Sequence, residues 1–98
     1  MGGYWVYMLR CSDGSYYIGV TSDLDGRVAE HNDGVHHNAY TYTRRPVKLV
    51  YSSDFTEIHQ AISWEKQIKR WSRKKKEALI RSDYDALPEL AARRTSFK

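Results

Sequence analysis

The period of hydrophobic and polar positions changes several times along this chain, and each change marks a predicted element. Residues 4–10, YWVYMLR, are rich in aromatic and apolar side chains and predict a strand. Residues 16–21, YYIGVT, predict a second, with the turn-forming Asp13-Gly14 pair between them. Over residues 22–32 Leu24 and Val28 give an inner helical face, and Ser22 or Asp23 can cap it. Residues 33–46, DGVHHNAYTYTRRP, read as loop, and VKLVYS, residues 47–52, alternates as a third strand. A turn over Asp54 to Glu57 follows, with Thr56 as the expected cap of a helix over Glu57 to Trp71. Ser72 suits the cap of a further helix, RKKKEALI. The order β-β-α-β-α-α predicts an α/β (α+β) fold, a small, mainly antiparallel three-stranded sheet flanked by helices. One domain is expected over residues 1–82. A partly flexible tail is expected over 83–98, interrupted by Pro88.

The hairpin has two possible registers. A two-residue Asp13-Gly14 turn pairs Arg10 with Tyr17 and turns Tyr7 away from Tyr17. A three-residue Ser12-Asp13-Gly14 loop, with Gly14 left-handed, pairs Leu9 with Tyr17 and Tyr7 with Gly19. The two tyrosines then share a face. The pattern alone leaves both open.

A second irregularity lies in AISWEKQIKRW, residues 61–71. At about 100° per residue, Ile58, Ala61, Ile62 and Ile68 make one apolar stripe. Glu65 falls near its centre. An unpaired buried carboxylate costs on the order of several kcal/mol. Glu65 therefore either has a partner, such as Arg27 or another buried base, or is kept for chemistry.

Charge sharpens this picture. The chain has 98 residues, a formal net charge of +4 and 16 Lys and Arg. Half of these fall between Lys66 and Arg81, interleaved with Trp71 and preceded by Trp64. Basic clusters with aromatics among them suit a phosphate backbone; a solvated helix face is the plainer reading. No apolar run approaches the roughly 20 residues of a membrane span. No signal peptide is evident, and one cysteine, Cys11, suits a reducing cytoplasm. His31, His36, His37, His59 and Cys11 match no zinc-finger spacing.

An aromatic strand carrying Trp5-Val6-Tyr7, a short polar turn and then Tyr17-Ile18-Gly19 resembles the GIY-YIG nuclease superfamily. Arg27 and His31 on the next helix and Glu65 on a later one complete the ordered set. The resemblance covers roughly residues 4 to 82. WEKQIKRWSRKKKEALI also looks like the small stand-alone bacterial URI-domain subfamily of predicted endonucleases.

The resemblance implies a divalent-metal-dependent endonuclease acting on DNA, with RNA left open, in repair or recombination. Glu65 would bind a single Mg²⁺ or Mn²⁺. Arg27 would hold the scissile phosphate, His31 would handle a proton, and Tyr17, supported by Tyr7, would act on the attacking water. Gly19 would allow close approach of backbone or substrate. Tyr42 and Arg44 in the loop would border the nucleic acid, as would Lys69, Arg70, Arg73, Lys74 and Lys75. Val20 stands where some repair members carry a lysine. The last helix lacks the asparagine of several members, which shifts that expected contact to Lys74 or Lys75. With no second DNA-binding domain in these residues, targeting would fall to the basic face, a homodimer or a protein partner. The alternative is a nucleic-acid-binding module that keeps the fold without cutting.

Overall fold

The computed structural model describes residues 3–87, and the expected tail beyond Leu87 lies outside them. Strand β1 (Tyr4–Arg10) is central, between β2 (Tyr16–Thr21) and β3 (Lys48–Phe55), in the order β2-β1-β3. Both pairings are antiparallel. Helix α1 (Leu24–Asp33) follows β2, and α2 (Ile58–Lys69) and α3 (Arg73–Ile80) follow β3. The element order is the expected β-β-α-β-α-α, with single 3-10 turns added at Tyr42–Arg44 and Tyr84–Ala86.

The hairpin takes the three-residue loop. Leu9 lies opposite Tyr17 and Tyr7 opposite Gly19. Gly14 has φ +86°, a left-handed conformation that glycine adopts at little cost. The Asp13 carboxylate accepts from the Ser15 amide at 3.0 Å and the Ser15 hydroxyl at 2.6 Å, which stiffens the turn.

Strand β3 is longer than its alternating stretch implied. It runs to Phe55 because Phe55 pairs with Tyr4 at the far end of β1. Cross-strand pairing extends a strand past its own hydrophobic pattern. The turn is therefore shorter, and Glu57 rather than Thr56 caps α2, accepting from the Gln60 amide at 3.0 Å. Asp23 caps α1, and Ser72 caps α3 as expected. Helix α2 ends at Lys69, two residues short of the expected Trp71.

Alternation along β1 builds two apolar clusters. Val6 and Met8, with Ile18 of β2, face Ala61 and Ile68 of α2 and Ala78 and Leu79 of α3. Trp71 and the fully buried Leu87 close this larger core. Full burial of one such large side chain is worth roughly 1.5–3 kcal/mol. Tyr7, Leu9 and Cys11 point the other way, toward Val47, Leu49 and the Leu24–Val28 face of α1. The sheet thus separates α1 from α2 and α3, and β2 forms one of its edges. No helix among the described residues is long and apolar enough to cross a membrane.

Candidate active site

Tyr7 lies on the α1 face of β1, with its ring directed over its β2 neighbour. It fits there because Gly19 has no side chain; a Cβ at Gly19 would sit 2.6 Å from the Tyr7 hydroxyl. That oxygen lies 3.1 Å from His31 Nε2. On the far side of the imidazole, His31 Nδ1 lies 2.7 Å from Thr41 Oγ1. All three side chains are buried. The Tyr17 ring lies 6.2 Å from that of Tyr7 and 5.0 Å from that of His31. Tyr40 stacks on Tyr17 at 6.3 Å, and the Arg44 guanidinium lies 3.8 Å over the centre of Tyr40.

Electrostatics separate the members of this group. Burial, aided by the neighbouring Tyr17, pushes the Tyr7 phenol well above the ordinary tyrosine range, so Tyr7 stays protonated at neutral pH. Burial, followed by the charges of Arg27 and His36, holds His31 below its usual value. His31 is therefore neutral near pH 7, with one ring nitrogen to donate and one to accept.

Glu65 comes from α2, on the opposite face of the sheet. Its side chain is 16% exposed and pairs with Lys69 at 3.0 Å. The partner is thus a half-exposed lysine one helical turn on. Arg27 instead meets Glu30, with its Nε 3.5 Å from the carboxylate. Both the Arg27 and the Glu65 charges act on the Tyr7 hydroxyl. Tyr7, Tyr17, Arg27 and His31 lie on the α1 side of the sheet, and Glu65 belongs to the helix on the other side.

Among the described residues no three His, Cys, Asp or Glu side chains gather as a ready metal cage. A carboxylate whose partner is a half-exposed lysine fits a hard ion such as Mg²⁺, which retains most of its waters and takes one or two protein carboxylates.

The residues expected to touch nucleic acid divide into two groups. Arg70 and Trp71 line a shallow groove on α2 with Ser63, Lys66 and Gln67, and Lys74 is exposed beyond it. Others have internal partners. Lys69 pairs with Glu65, and Lys75 lies 4.7 Å over the Trp71 ring. Arg73 bonds Glu77 at 3.0 Å and donates to the Gly14 carbonyl at 2.7 Å, tying α3 to the hairpin. In the loop, Tyr42 lies between Arg45 and His37, whereas Arg44 bonds Asp13 and covers Tyr40. It is Tyr40, not Tyr42, that reaches the tyrosine pair.

Comparison with known proteins places this arrangement. The model of the GIY-YIG catalytic domain matches residues 3–78. The chain belongs to the GIY-YIG family. It carries a nuclease-type catalytic domain, whose fold implies a nucleic-acid substrate and whose nucleases are generally dependent on a divalent metal. A UPF0213 protein of Streptococcus pneumoniae is 43% identical over 81 residues, covering 83% of this chain and 81% of its own. One from Staphylococcus saprophyticus is 41% identical over 82% of this chain and 96% of its own. The solution structure of a UPF0213 protein from Bacillus halodurans superposes with a TM-score of 0.52 at 42% identity, over 79% of this chain and 81% of that one. A protein from E. faecalis gives a TM-score of 0.59 at 32% identity, over 86% and 88%.

Two residues of this GIY-YIG site were not legible in the sequence. Thr41 carries no local signal, being one of several hydroxyl residues in a polar loop. Tyr40 had a faint one, an aromatic in an otherwise hydrophilic stretch.

Proposed function

We propose that this GIY-YIG chain is a divalent-metal-dependent endonuclease that hydrolyses phosphodiester bonds in DNA, with structured or damaged DNA of repair and recombination as its class of substrate. The observation that supports this reading is the gathering of Tyr17 and His31 around the buried Tyr7 hydroxyl, with Arg27 one turn from His31 on the same helix.

Glu65 would hold one Mg²⁺ or Mn²⁺, which when bound supplies Lewis-acid charge for the scissile phosphate. Holding it requires Lys69 to release the carboxylate, a small cost because one side of that pair is half-exposed. Arg27, loosely engaged by Glu30, exchanges that contact for a planar, two-pronged grip on phosphate. Tyr7 stays neutral and donates a hydrogen bond. Tyr17, less buried and under Tyr40, is the tyrosine that reaches the attacking water. His31 is within hydrogen-bond reach of the Tyr7 hydroxyl and holds it in place. Gly19 makes room for this tyrosine arrangement. Arg70 and Lys74, with Lys69, Arg73 and Lys75, give the α2–α3 side its attraction for the backbone, and Tyr42 and Arg44 border it from the loop.

The test is cleavage of labelled duplex, flap, fork, junction and single-stranded DNA and RNA, with Mg²⁺, with Mn²⁺ and with EDTA. Metal-dependent cutting that Glu65→Gln abolishes is the expected result. Binding without cutting on every substrate would replace the nuclease with a nucleic-acid-binding module of the same fold.

A further inference from the structure

Thr41 takes no part in the chemistry proposed above, yet its hydroxyl is among the most buried polar groups of the molecule, at 1% exposure. A threonine hydroxyl carries one proton to donate. Among the described residues its partner is His31 Nδ1, at 2.7 Å, and no second acceptor meets it. If His31 carried its proton on Nδ1, that N–H would donate to Thr41. The threonine proton would then be buried with nothing to accept it, a costly arrangement. If Thr41 donates to Nδ1, the threonine proton is paired. The imidazole proton then sits on Nε2 and is donated to the Tyr7 oxygen across 3.1 Å. The Tyr7 proton is turned away from His31, to the side on which the half-buried Tyr17 ring lies.

We infer that Thr41 is a positioning residue that fixes the tautomer of His31 and so imposes a one-way chain of hydrogen bonds, Thr41 to His31 to Tyr7. Burial keeps the proton on Tyr7, as this direction requires. Doubly protonated imidazole would break the chain, and burial together with the Arg27 and His36 charges disfavours it. His31 is then a donor that orients Tyr7 rather than a base that takes its proton. Tyr17 lies beside the end of this chain, under Tyr40. The consequence for cutting rests on the nuclease reading, whereas the chain itself does not.

The experiment is long-range ¹⁵N–¹H correlation spectroscopy of the His31 ring in the whole protein, in wild type, Thr41→Val and Thr41→Ser. The expected wild-type spectrum shows Nε2 protonated and Nδ1 bare. Thr41→Val is expected to give a mixture or the opposite tautomer, and Thr41→Ser to restore the wild-type pattern. In parallel, Thr41→Val should cut roughly two- to tenfold more slowly at unchanged DNA affinity, the weight of one neutral buried hydrogen bond, with recovery in Thr41→Ser. A proton on Nδ1 in wild type would overturn the inference, as would an unchanged tautomer in Thr41→Val. The wild-type spectrum needs no variant to fold. A chain that cuts nothing would remove the nuclease reading while leaving the spectra to decide the role of Thr41.

Discussion

On the α2–α3 face of the sheet β1 contributes Val6 and Met8, which pack into the larger apolar cluster. One residue along, on the α1 face, it contributes Tyr7 and Leu9, and Tyr7 adds a histidine, a second tyrosine and a glycine to its apolar neighbours. The same strand thus serves both purposes, because successive side chains point to opposite faces. The larger cluster gathers nine buried residues and the smaller one four. That leaves the smaller one able to keep a buried polar network, which would be a poor foundation by itself.

Four substitutions or conditions test this division. Met8→Ala strikes the larger core at a fully buried position, and urea unfolding should show a loss of about 2–5 kcal/mol. Cleavage below the new transition should survive, because Met8 faces away from Tyr7. Glu65→Gln should do the reverse. The cleavage rate is expected to fall by roughly 10²–10³, as for loss of a group that organises transition-state charge. Stability should change by about 1 kcal/mol or less, since the Lys69 partner is half-exposed. If stability collapsed with activity, Glu65 would belong to the structural face.

Gly19→Ala falls between the two regimes. The added methyl occupies space taken by the Tyr7 hydroxyl, so the ring must shift within a tight pocket. A cost of about 1–3 kcal/mol is expected from overpacking, together with loss of the Tyr7–His31 contact in the ring spectra. Retention of that contact would mean that the α1 face is looser than its geometry indicates.

The smallest effect is that of pH. Burial holds His31 below its ordinary value of about 6.5, so on acidification the unfolded chain binds this proton first. The contribution of neutral His31 is therefore complete above about pH 6.5 and is lost as pH falls through the lower, folded value. Urea midpoints measured at about pH 7.5 and about pH 5.5 should drop on the acid side, and the drop should shrink in His31→Gln. Equal slopes in the two proteins would assign the acid sensitivity to another group.

By itself the sequence determined the elements and their order. Hydrophobic period reports which face of a strand or helix is buried, and caps such as Asp23 and Ser72 act within one turn. It also placed Tyr7, Tyr17, Arg27, His31 and Glu65 on the elements where the structure has them, because those positions follow from the same local periods. It left the hairpin register open, and pairing across β1 selected the three-residue loop that puts both tyrosines on one face. It placed the cap of α2 at Thr56, whereas pairing of Phe55 with Tyr4 moved it to Glu57. It set a carboxylate in an apolar stripe without naming Lys69 as its partner, although the i to i+4 spacing allowed that pair. The Thr41–His31–Tyr7 contacts join a loop, a helix and a strand whose residues lie 10 and 24 positions apart. Hydrogen bonds of that reach have no sequence period, and the packing of α1 and its following loop on the sheet created them.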